Sequence, residues 1–380
     1  MRSRKICHII TSLGAGGAEG TLVKLVMNED YHEHIIITLS GQGKYFEKLI
    51  KNNYKVYDLN FKNKFFVLFN FLKLVLLIKK INPDIVQTWL YHADLLGGLA
   101  AKICFVKNII WNIRTSYLPS NYKLTTILTI KLCAYLSWFI PKKIITCANS
   151  TLSIHEDLGY CVEKFEVIFN GFILPKDEIM NKKLFFENLD LSDKDFSIIF
   201  VGRFAPQKDH NNFLRAIELF RINYPVFLNL NLNIIFIGKD TSKILKNNKW
   251  FDANSLNLKF ITINNTNNIY KYFSHMDLSV LSSSYGEAFP NVLAESMLCG
   301  VPCIATDVGD SKAILGNNGW IVRPSSPKQL SKAIFEAINT IYLKPKNKKR
   351  IAENCKSKVL SEYTLETMVN RYKDLYSNII

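Results

Sequence analysis

The sequence Ser282–Glu295, SSSYGEAFPNVLAE, joins a short apolar run at Leu278–Leu281 to a helical pattern that opens with Pro290. We expect Pro290 at the first helical position, because its missing N–H has no intrahelical partner there. A helix start carries partial positive charge and binds phosphate. Glu287 and Glu295 flank this start and can accept hydrogen bonds from sugar hydroxyls. An ordinary strand–loop–helix unit with two solvated glutamates fits the same spacing.

The composition limits the class of protein. The chain has 380 residues, of which 48% are hydrophobic, so we expect two domains with real cores and no wholesale disorder. Its net charge of +16 suits nucleic acid, an anionic membrane surface or acidic small substrates. No basic run is interleaved with aromatic residues, so we expect no nucleic-acid partner. Eight cysteines without a C-x-x-C pair predict reduced thiols in a cytoplasmic protein and no zinc site.

Short apolar segments alternate with helical patterns throughout, which predicts an α/β fold with parallel sheets. The strand candidates of the first half are Lys5–Ile10, Ile35–Leu39, Val56–Leu59, Ile85–Gln87, Ile109–Ile113, Ile144–Cys147 and Val167–Phe169. Those of the second half are Ser197–Val201, Asn233–Ile237, Leu258–Thr262, Leu278–Leu281, Cys303–Thr306 and Trp320–Val322. The charged stretch Leu174–Asp195 between them is the linker candidate. We expect two doubly wound domains with a ligand cleft at the carboxyl ends of their strands.

The helical patterns include two unusually apolar segments, Phe65–Ile78 and Leu124–Ile140, both flanked by lysines. Both are shorter than the ~20 apolar residues of a spanning helix. They are predicted either to lie on an anionic membrane surface or to be core helices with snorkelling lysines. Near the end of the chain, a lysine-rich break is expected at Lys344–Arg350, before a last helix at Leu365–Ile379.

Glycines and polar side chains follow several predicted strands of the first half. Gly16 and Gly17 precede a helix and allow close approach of a ligand to the backbone, although a tight strand–helix turn explains them equally well. His92 is expected at a strand end, where site residues gather; a structural histidine is the alternative. Arg114 is a candidate either to bind an anion or to pair with a carboxylate.

In the second half, Gly202 and Gly238 each follow a predicted strand. Arg203 and Lys208 are separated by a short loop, so they can converge on a diphosphate. Solvated surface charge is the alternative. Asp193-Lys194-Asp195 precedes a strand rather than ending one, so it is interpreted as surface charge, and we expect no metal ion.

Taken together, these motifs resemble the family 4 retaining glycosyltransferases of the GT-B fold, a pair of Rossmann-like domains facing a central cleft. The resemblance covers nearly the whole chain. It rests on the GGAE after the first strand, Gly171, Val201-Gly202-Arg203 with Lys208, the two glutamates seven residues apart at Glu287 and Glu295, Gly300-Val301-Pro302, and Tyr372 and Tyr376 in the last helix.

The resemblance implies an acceptor-binding domain over residues 1–175 and a nucleotide-sugar domain over residues 190–355. Residues 356–380 are expected to form a helix that packs back on the first domain. Arg203 and Lys208 would hold the diphosphate, Glu287 would contact hydroxyls of the transferred sugar, and Glu295 would hold the ribose hydroxyls.

Further site residues follow from the same resemblance. The backbone of Phe289, Pro290 and Asn291 would line the sugar and phosphate, together with the glycines Gly202 and Gly238. The loop of Gly16 and Gly17 would approach the diphosphate, and His92 would face the reacting sugar.

The implied reaction moves a sugar from a nucleotide-diphosphate donor, expected to be a UDP-sugar, to a lipid-linked or oligosaccharide acceptor. It would need no metal or other cofactor. It would take place at the inner face of the cytoplasmic membrane and build a surface polysaccharide such as lipopolysaccharide or capsule. The alternatives are a nucleotide-sugar epimerase of the same fold and a non-catalytic relative that binds a glycan or a partner transferase.

Overall fold

The computed structural model describes residues 3–61, 67–116, 123–174, 181–248, 251, 256–264, 266 and 268–379. The chain divides into two compact units. Unit 1 comprises Met1–Gly171 and Leu365–Ile380, and unit 2 comprises Phe172–Thr364. Residues 65–66 of the first apolar segment and residues 175–180 of the expected linker lie outside the described residues.

Unit 1 contains a seven-stranded parallel sheet. Its strands are β1 (Lys5–Ile10), β2 (Glu33–Thr38), β3 (Lys55–Asp58), β4 (Ile85–Trp89), β5 (Asn108–Ile113), β6 (Lys143–Thr146) and β7 (Phe165–Val167). Their order across the sheet is β3-β2-β1-β4-β5-β6-β7. The helices between them are α1 (Gly17–Asn28), α2 (Lys44–Lys51), α3 (Val67–Ile81), α4 (Tyr91–Ile103), α5 (Leu124–Leu136) and α6 (Ser150–Asp157).

Unit 2 contains a six-stranded parallel sheet. Its strands are β8 (Phe196–Val201), β9 (Leu232–Ile237), β10 (Leu258–Ile263), β11 (Leu278–Leu281), β12 (Cys303–Thr306) and β13 (Gly319–Val322). Their order is β10-β9-β8-β11-β12-β13. The helices are α7 (Lys182–Glu187), α8 (His210–Asn223), α9 (Lys243–Asn247), α10 (Tyr270–Phe273), α11 (Asn291–Leu298), α12 (Ser311–Leu315), α13 (Pro327–Ile341) and α14 (Pro345–Glu362).

Both sheets are covered by helices on their two faces, which explains why their central strands are apolar along nearly their whole length. In unit 1, α1 packs on one face, and α3, α4 and α5 pack on the other. In each sheet the strand order reverses beside the first strand, between β1 and β4 and between β8 and β11. Ligands of doubly wound folds bind outside the carboxyl ends of the strands at such a point. The predicted parallel α/β architecture is confirmed.

The end of the chain returns to unit 1 as α15 (Leu365–Asn378), whose Tyr372 and Tyr376 are fully buried in the unit 1 core. The division between the units therefore falls after Thr364 and not at residue 356. The reason is that α14 packs against α11 in unit 2, with Cys355 fully buried.

Two local predictions are wrong. The lysine-rich stretch Lys344–Arg350 is not a break, because α14 begins at Pro345, a residue suited to a first turn, and lysine is a good helix former. Part of the expected linker is also folded. Its residues Lys182–Glu187 form α7, and Phe185 and Phe186 are buried in a core cluster of unit 2.

Candidate active site

The carboxyl ends of β8 and β11 lie side by side in unit 2, where the strand order reverses. The loop after β8 carries Gly202, Arg203 and Lys208, and the loop after β11 runs from Ser282 to Pro290. The structure therefore brings the predicted diphosphate cations and the predicted sugar-binding carboxylate to one edge of one sheet.

Hydrogen bonds fasten these two loops to each other. The Ser282 hydroxyl donates to the carbonyl oxygen of Lys208 at 3.0 Å, and the Ser284 N–H donates to the carbonyl oxygen of Gln207 at 2.9 Å. In return, Gln207 Nε2 donates to the carbonyl oxygen of Gly286 at 3.0 Å. Because backbone groups of both loops take part, the position of each loop depends on the other. The sequence reasoning missed Ser282 and Gln207 in this role.

An ion pair lies between the two loops. Lys208 Nζ is 2.5 Å from Glu287 Oε1, and the Ser283 hydroxyl donates to the same carboxylate oxygen at 2.7 Å. The side chains of Lys208 and Glu287 are only 16% and 11% exposed. Removing either partner would leave a poorly hydrated charge, which is costly. The pair therefore holds an ammonium group and a carboxylate at fixed places on this edge.

Gly238 and Gly202 form a close backbone contact that places the first loop. Gly238 follows β9 with φ +149°, and a Cβ atom on it would overlap the carbonyl oxygen of Gly202. A residue with a side chain at position 238 would push the start of the Arg203 loop away from the sheet. This contact gives a physical reason for the glycine at Gly238, which had been selected only for following a strand.

Gly309, which the sequence reasoning missed, supports the Glu287 loop. It has φ +60°, and a Cβ atom on it would overlap the carbonyl oxygens of Glu287 and Ala288. The next residue, Asp310, donates its N–H to the carbonyl oxygen of Ala288 at 2.9 Å. The signal in the sequence was a glycine shortly after the buried strand β12.

Arg203 is more exposed than Lys208. Its guanidinium donates from Nη2 to Gln207 Oε1 at 3.4 Å, and Gln207 in turn contacts the Glu287 loop through Gly286. Arg203 and Lys208 thus flank the same hydrogen-bonded loop contact.

Helix α11 begins at Asn291, so Pro290 is the residue that caps the helix and not its first helical residue as predicted. The backbone of Pro290 is extended, with a ψ of 94°. This residue therefore turns the chain from the Glu287 loop into the helix. Glu295 lies one turn into α11 and is half-buried. Burial and, to a smaller extent, the nearby Glu295 charge raise the pKa of Tyr270.

The Phe289 side chain is buried within unit 2. It stacks on Phe172 with ring centroids 5.9 Å apart and meets Tyr363 edge-on at 5.2 Å. The ring therefore anchors the loop, and only the backbone of Phe289 suits the predicted role of lining a ligand.

Gly16 and Gly17 lie in unit 1, at the carboxyl end of β1. Gly16 caps α1, and Gly17 is the first residue of that helix. A Cβ atom on Gly16 would overlap the carboxylate of Glu19, which folds back toward the Ser12 hydroxyl at 3.5 Å. Because Glu19 is a flexible side chain in the first turn of α1 and can turn aside, this contact alone does not require a glycine at position 16.

His92 is also in unit 1, but it does not end a strand as predicted, because α4 begins one residue earlier at Tyr91. Its side chain is exposed in the first turn of α4, and protein atoms that replace water on part of the ring lower its pKa. The residue that caps α4, Leu90, has φ +73°, a strained conformation for a side chain of its size.

Arg114 follows β5 in unit 1 and pairs with neutral groups. Its guanidinium donates to the side-chain oxygens of Asn112 at 2.7 Å, Asn170 at 2.6 Å and Tyr372 at 2.7 Å. It also lies over the ring of Trp89, 5.0 Å from the centroid. None of the ion pairs in the described part of the chain includes it. The network joins α15 to the carboxyl edge of the sheet.

No cluster of three or more His, Cys, Asp or Glu side chains in the described ranges has the arrangement of a metal site. Arg203, Lys208 and the start of α11 contribute positive charge at the unit 2 edge.

Comparison with known proteins agrees with this architecture. Residues 16–174 match the model of Glycosyltransferase Family 4, and residues 181–358 match that of Glycosyl transferases group 1. The chain is 24% identical over 318 residues to the Escherichia coli UDP-Gal:alpha-D-GlcNAc-diphosphoundecaprenol alpha-1,3-galactosyltransferase, covering 80% of this chain and 78% of that protein. It is 23% identical to the capsular polysaccharide biosynthesis glycosyltransferase CapM of Staphylococcus aureus, covering 98% of both.

The fold also resembles that of a solved crystal structure. Anabaena HepE, crystallised with UDP and glucose, superposes with a TM-score of 0.80 at 18% identity, covering 99% of this chain and 100% of that one. Together the two family models span nearly the whole described chain, one in each unit. The chain therefore belongs to the glycosyltransferases of the GT-B fold, with a family 4 domain followed by a group 1 domain.

Proposed function

We propose that this glycosyltransferase moves a hexosyl group from UDP-sugar to a lipid-linked saccharide, with retention of the anomeric configuration. The observation that carries the proposal is the Lys208–Glu287 pair at the carboxyl edge of unit 2. A diphosphate needs fixed cations, and a sugar needs hydrogen-bond acceptors for its hydroxyls. The pair places both groups at a single position beside the start of α11.

The proposed chemistry breaks the bond between the anomeric carbon and the β-phosphate oxygen. The acceptor hydroxyl oxygen bonds to the same carbon, and its proton passes to the departing phosphate, so the products are a glycoside and UDP. Lys208, Arg203 and the amide groups at the start of α11 stabilise the leaving charge, at about 2–4 kcal/mol for each well-placed donor. This chain's own cations thus supply the charge stabilisation that a metal ion would otherwise provide.

Within unit 2, we assign the two glutamates different roles. Glu287 accepts hydrogen bonds from the hydroxyls of the sugar, and Glu295, further along α11, holds the ribose hydroxyls. Phe289, Pro290 and Asn291 present backbone groups to the phosphate. In unit 1, the lowered pKa keeps His92 neutral at pH 7, so its imidazole can accept a hydrogen bond from a hydroxyl.

The donor and acceptor are proposed from the relatives. The Escherichia coli relative is named for UDP-Gal and a diphosphoundecaprenol-linked sugar, and the HepE structure holds UDP. The Staphylococcus relative is named for capsule synthesis. We therefore propose UDP-sugar as donor, a saccharide on a lipid diphosphate as acceptor, and work at the cytoplasmic face of the membrane in building a surface polysaccharide.

The experiment is a transfer assay with a panel of UDP-hexoses and an acceptor sugar on a lipid diphosphate, run with and without a metal chelator. We expect acceptor-dependent release of UDP and a glycosylated product, at the same rate with the chelator present. A changed sugar formed without any acceptor would instead indicate an epimerase. Binding of UDP-sugar with no turnover on any acceptor would indicate a non-catalytic relative.

A further inference from the structure

The outer sides of α3 and α5 in unit 1 carry apolar side chains toward solvent. Leu68, Leu72 and Leu76 of α3 are exposed, as are Leu124, Leu128 and Leu132 of α5. Each set is spaced by four residues, so it forms a stripe along one side of its helix. The opposite sides of the same helices are buried against the sheet. Both helices are thus apolar toward the core and toward solvent.

These two stripes belong to one continuous surface. Helix α4 lies between α3 and α5 and packs on both, on the same face of the sheet. We call the outer side of α3, α4 and α5, with the turns after α4 and α5, the outer helical face. Apolar patches of this extent on a soluble protein mark sites of interaction.

Phe105, in the turn after α4, shows that the exposure does not serve folding. Its side chain is 90% exposed, and its backbone has the left-handed φ of +59°. The Val106 N–H donates back to the carbonyl oxygen of Ala101 at 3.0 Å, as at helix ends that normally use glycine. Phenylalanine here is unfavourable both for its conformation and for its contact with water.

Two more aromatic side chains project from the turn after α5, and the backbone of that turn is fixed. Trp138 and Phe139 are 55% and 62% exposed. The Trp138 indole N–H donates to the carbonyl oxygen of Gly159 at 3.1 Å, and Lys164 Nζ donates to the Trp138 carbonyl oxygen at 2.7 Å. An indole with one apolar side and a bonded N–H suits the boundary between water and lipid.

The chain segments that contain the outer helical face carry net positive charge. From Val67 to Lys107 the chain has five lysines and two carboxylates, and one of these, Asp94, is buried and bonded to Thr88. From Lys123 to Lys143 it has four lysines and no carboxylate. A surface that combines apolar side chains with lysines matches anionic lipid head groups above acyl chains.

We propose that the outer helical face docks on an anionic phospholipid bilayer, with Phe105, Trp138 and Phe139 at head-group depth. None of the described helices has the length and apolarity needed to cross a membrane, so the contact would be peripheral. The inference rests on the proposed function. Helices α3, α4 and α5 begin at the carboxyl edge of the sheet, where His92 lies, and the turns with Phe105, Trp138 and Phe139 lie at the opposite edge. Docking would therefore lay the three helices along the bilayer that carries a lipid-linked acceptor.

The test is sedimentation of the full chain with vesicles of phosphatidylglycerol and phosphatidylcholine, compared with vesicles of phosphatidylcholine alone. We expect binding to the mixed vesicles only, and weaker binding at high salt. Phe105→Gly should lower the affinity about tenfold, because a buried phenyl group is lost. The same variant should unfold at an equal or higher temperature, since glycine favours the left-handed conformation. Lys73→Gln and Lys131→Gln should each lower the affinity about fivefold.

The matched control is Val226→Ser in unit 2, which removes another largely exposed apolar side chain. Val226 is 77% exposed and lies outside the outer helical face. The control variant should bind vesicles as the wild type does. Equal binding of wild type and Phe105→Gly would overturn the proposal. The proposal would also be overturned if the wild type bound no vesicles but formed dimers that dissociate in the Phe105→Gly variant. A second copy of the chain would then be the partner that covers the outer helical face. Vesicle binding needs no turnover, so inactivity in every transfer assay would count against the proposed function alone.

Discussion

Lys208 Nζ lies 2.5 Å from Glu287 Oε1, although the two residues are in loops that follow different strands, β8 and β11. Those strands are neighbours at the reversal of strand order in unit 2. The ammonium group and the carboxylate hold each other in place. We interpret this arrangement as preorganisation for a ligand with both a diphosphate and sugar hydroxyls.

Lys208→Met should lower kcat/KM by about two to three orders of magnitude, because one preorganised donor to the leaving phosphate is lost. Steady-state kinetics with UDP-sugar and acceptor provide the measurement. Lys243→Met is the control, since Lys243 forms an exposed ion pair with Asp240 at 2.9 Å in the same unit. Exposed pairs contribute little, so its kinetics should equal those of the wild type. Similar losses in both variants would refute the assignment.

The two partners should also be coupled in stability. Lys208→Met and Glu287→Gln each disturb a largely buried pair, whereas the double variant leaves no charge unpaired. We expect the double variant to lose less free energy of unfolding than the sum of the single variants, by about 0.5–3 kcal/mol. Denaturant titrations of the four proteins would measure this difference. Strict additivity would mean that the ion pair has no energetic role.

Gly309→Ala should destabilise unit 2 and abolish most activity, because the new methyl group would displace the carbonyl oxygen of Glu287. Gly316→Ala is a matched control, since Gly316 has a similar φ of +55° but faces only the flexible end of Lys358, 3.4 Å away. The control should lose about 1–3 kcal/mol for its positive-φ backbone alone and remain active. Thermal unfolding and turnover of both variants test the difference. Equal effects would show that crowding against Glu287 is unimportant.

Arg114→Lys should loosen α15. An ammonium group cannot reproduce the planar guanidinium that reaches Asn112, Asn170 and Tyr372 together. We expect faster hydrogen exchange in α15, with a loss of about 1–3 kcal/mol from the unsatisfied buried partners. Arg371→Lys, on the exposed side of the same helix, should leave exchange unchanged. Unchanged protection in Arg114→Lys would contradict this role.

His210 should make unit 2 sensitive to acid. Burial, and secondarily the charge of Lys208, lower the pKa of His210 to about 4. Below pH 6.5 the unfolded chain binds a proton that the folded chain does not, so stability falls as the pH drops from 6.5 toward 4. His210→Phe should flatten this fall by about 2–3 kcal/mol, because the ring already packs against Phe200 and Phe204. Unfolding midpoints at pH 7 and pH 4.5 test the sign; an unchanged pH dependence would contradict it.

The strands were predictable because each is a short, continuously apolar run, which is how a sheet covered on both faces appears in sequence. Lys208 and Glu287 were recognised separately, one as a phosphate ligand and the other as a sugar ligand. Their contact was not predicted. It depends on Ser282 and Gln207, which set the relative register of two loops far apart in the chain.

A buried polar network and one helix could not be predicted because the types of their residues suggested something else. His8 lies in the apolar strand β1, yet its Nε2 is 2.9 Å from His34 Nδ1, and His34 Nε2 is 2.7 Å from Glu29 Oε2. Burial alone would raise the pKa of Glu29, but His34 and His32 lower it to about 2. This network forms because β1 pairs with β2, and the sequence of one strand does not show which strand pairs with it. The helix at Lys344–Arg350 was missed because charge was taken for a break, although lysine favours helix.

The central claim is that Lys208 of unit 2 holds the diphosphate of a UDP-sugar. Calorimetric titration of UDP into the wild type, Lys208→Met and Glu287→Gln tests it most directly. We expect UDP to bind the wild type and Glu287→Gln with similar affinity, since UDP carries no transferred sugar, and to bind Lys208→Met at least tenfold more weakly. Equal affinity of UDP for the wild type and Lys208→Met would contradict the claim.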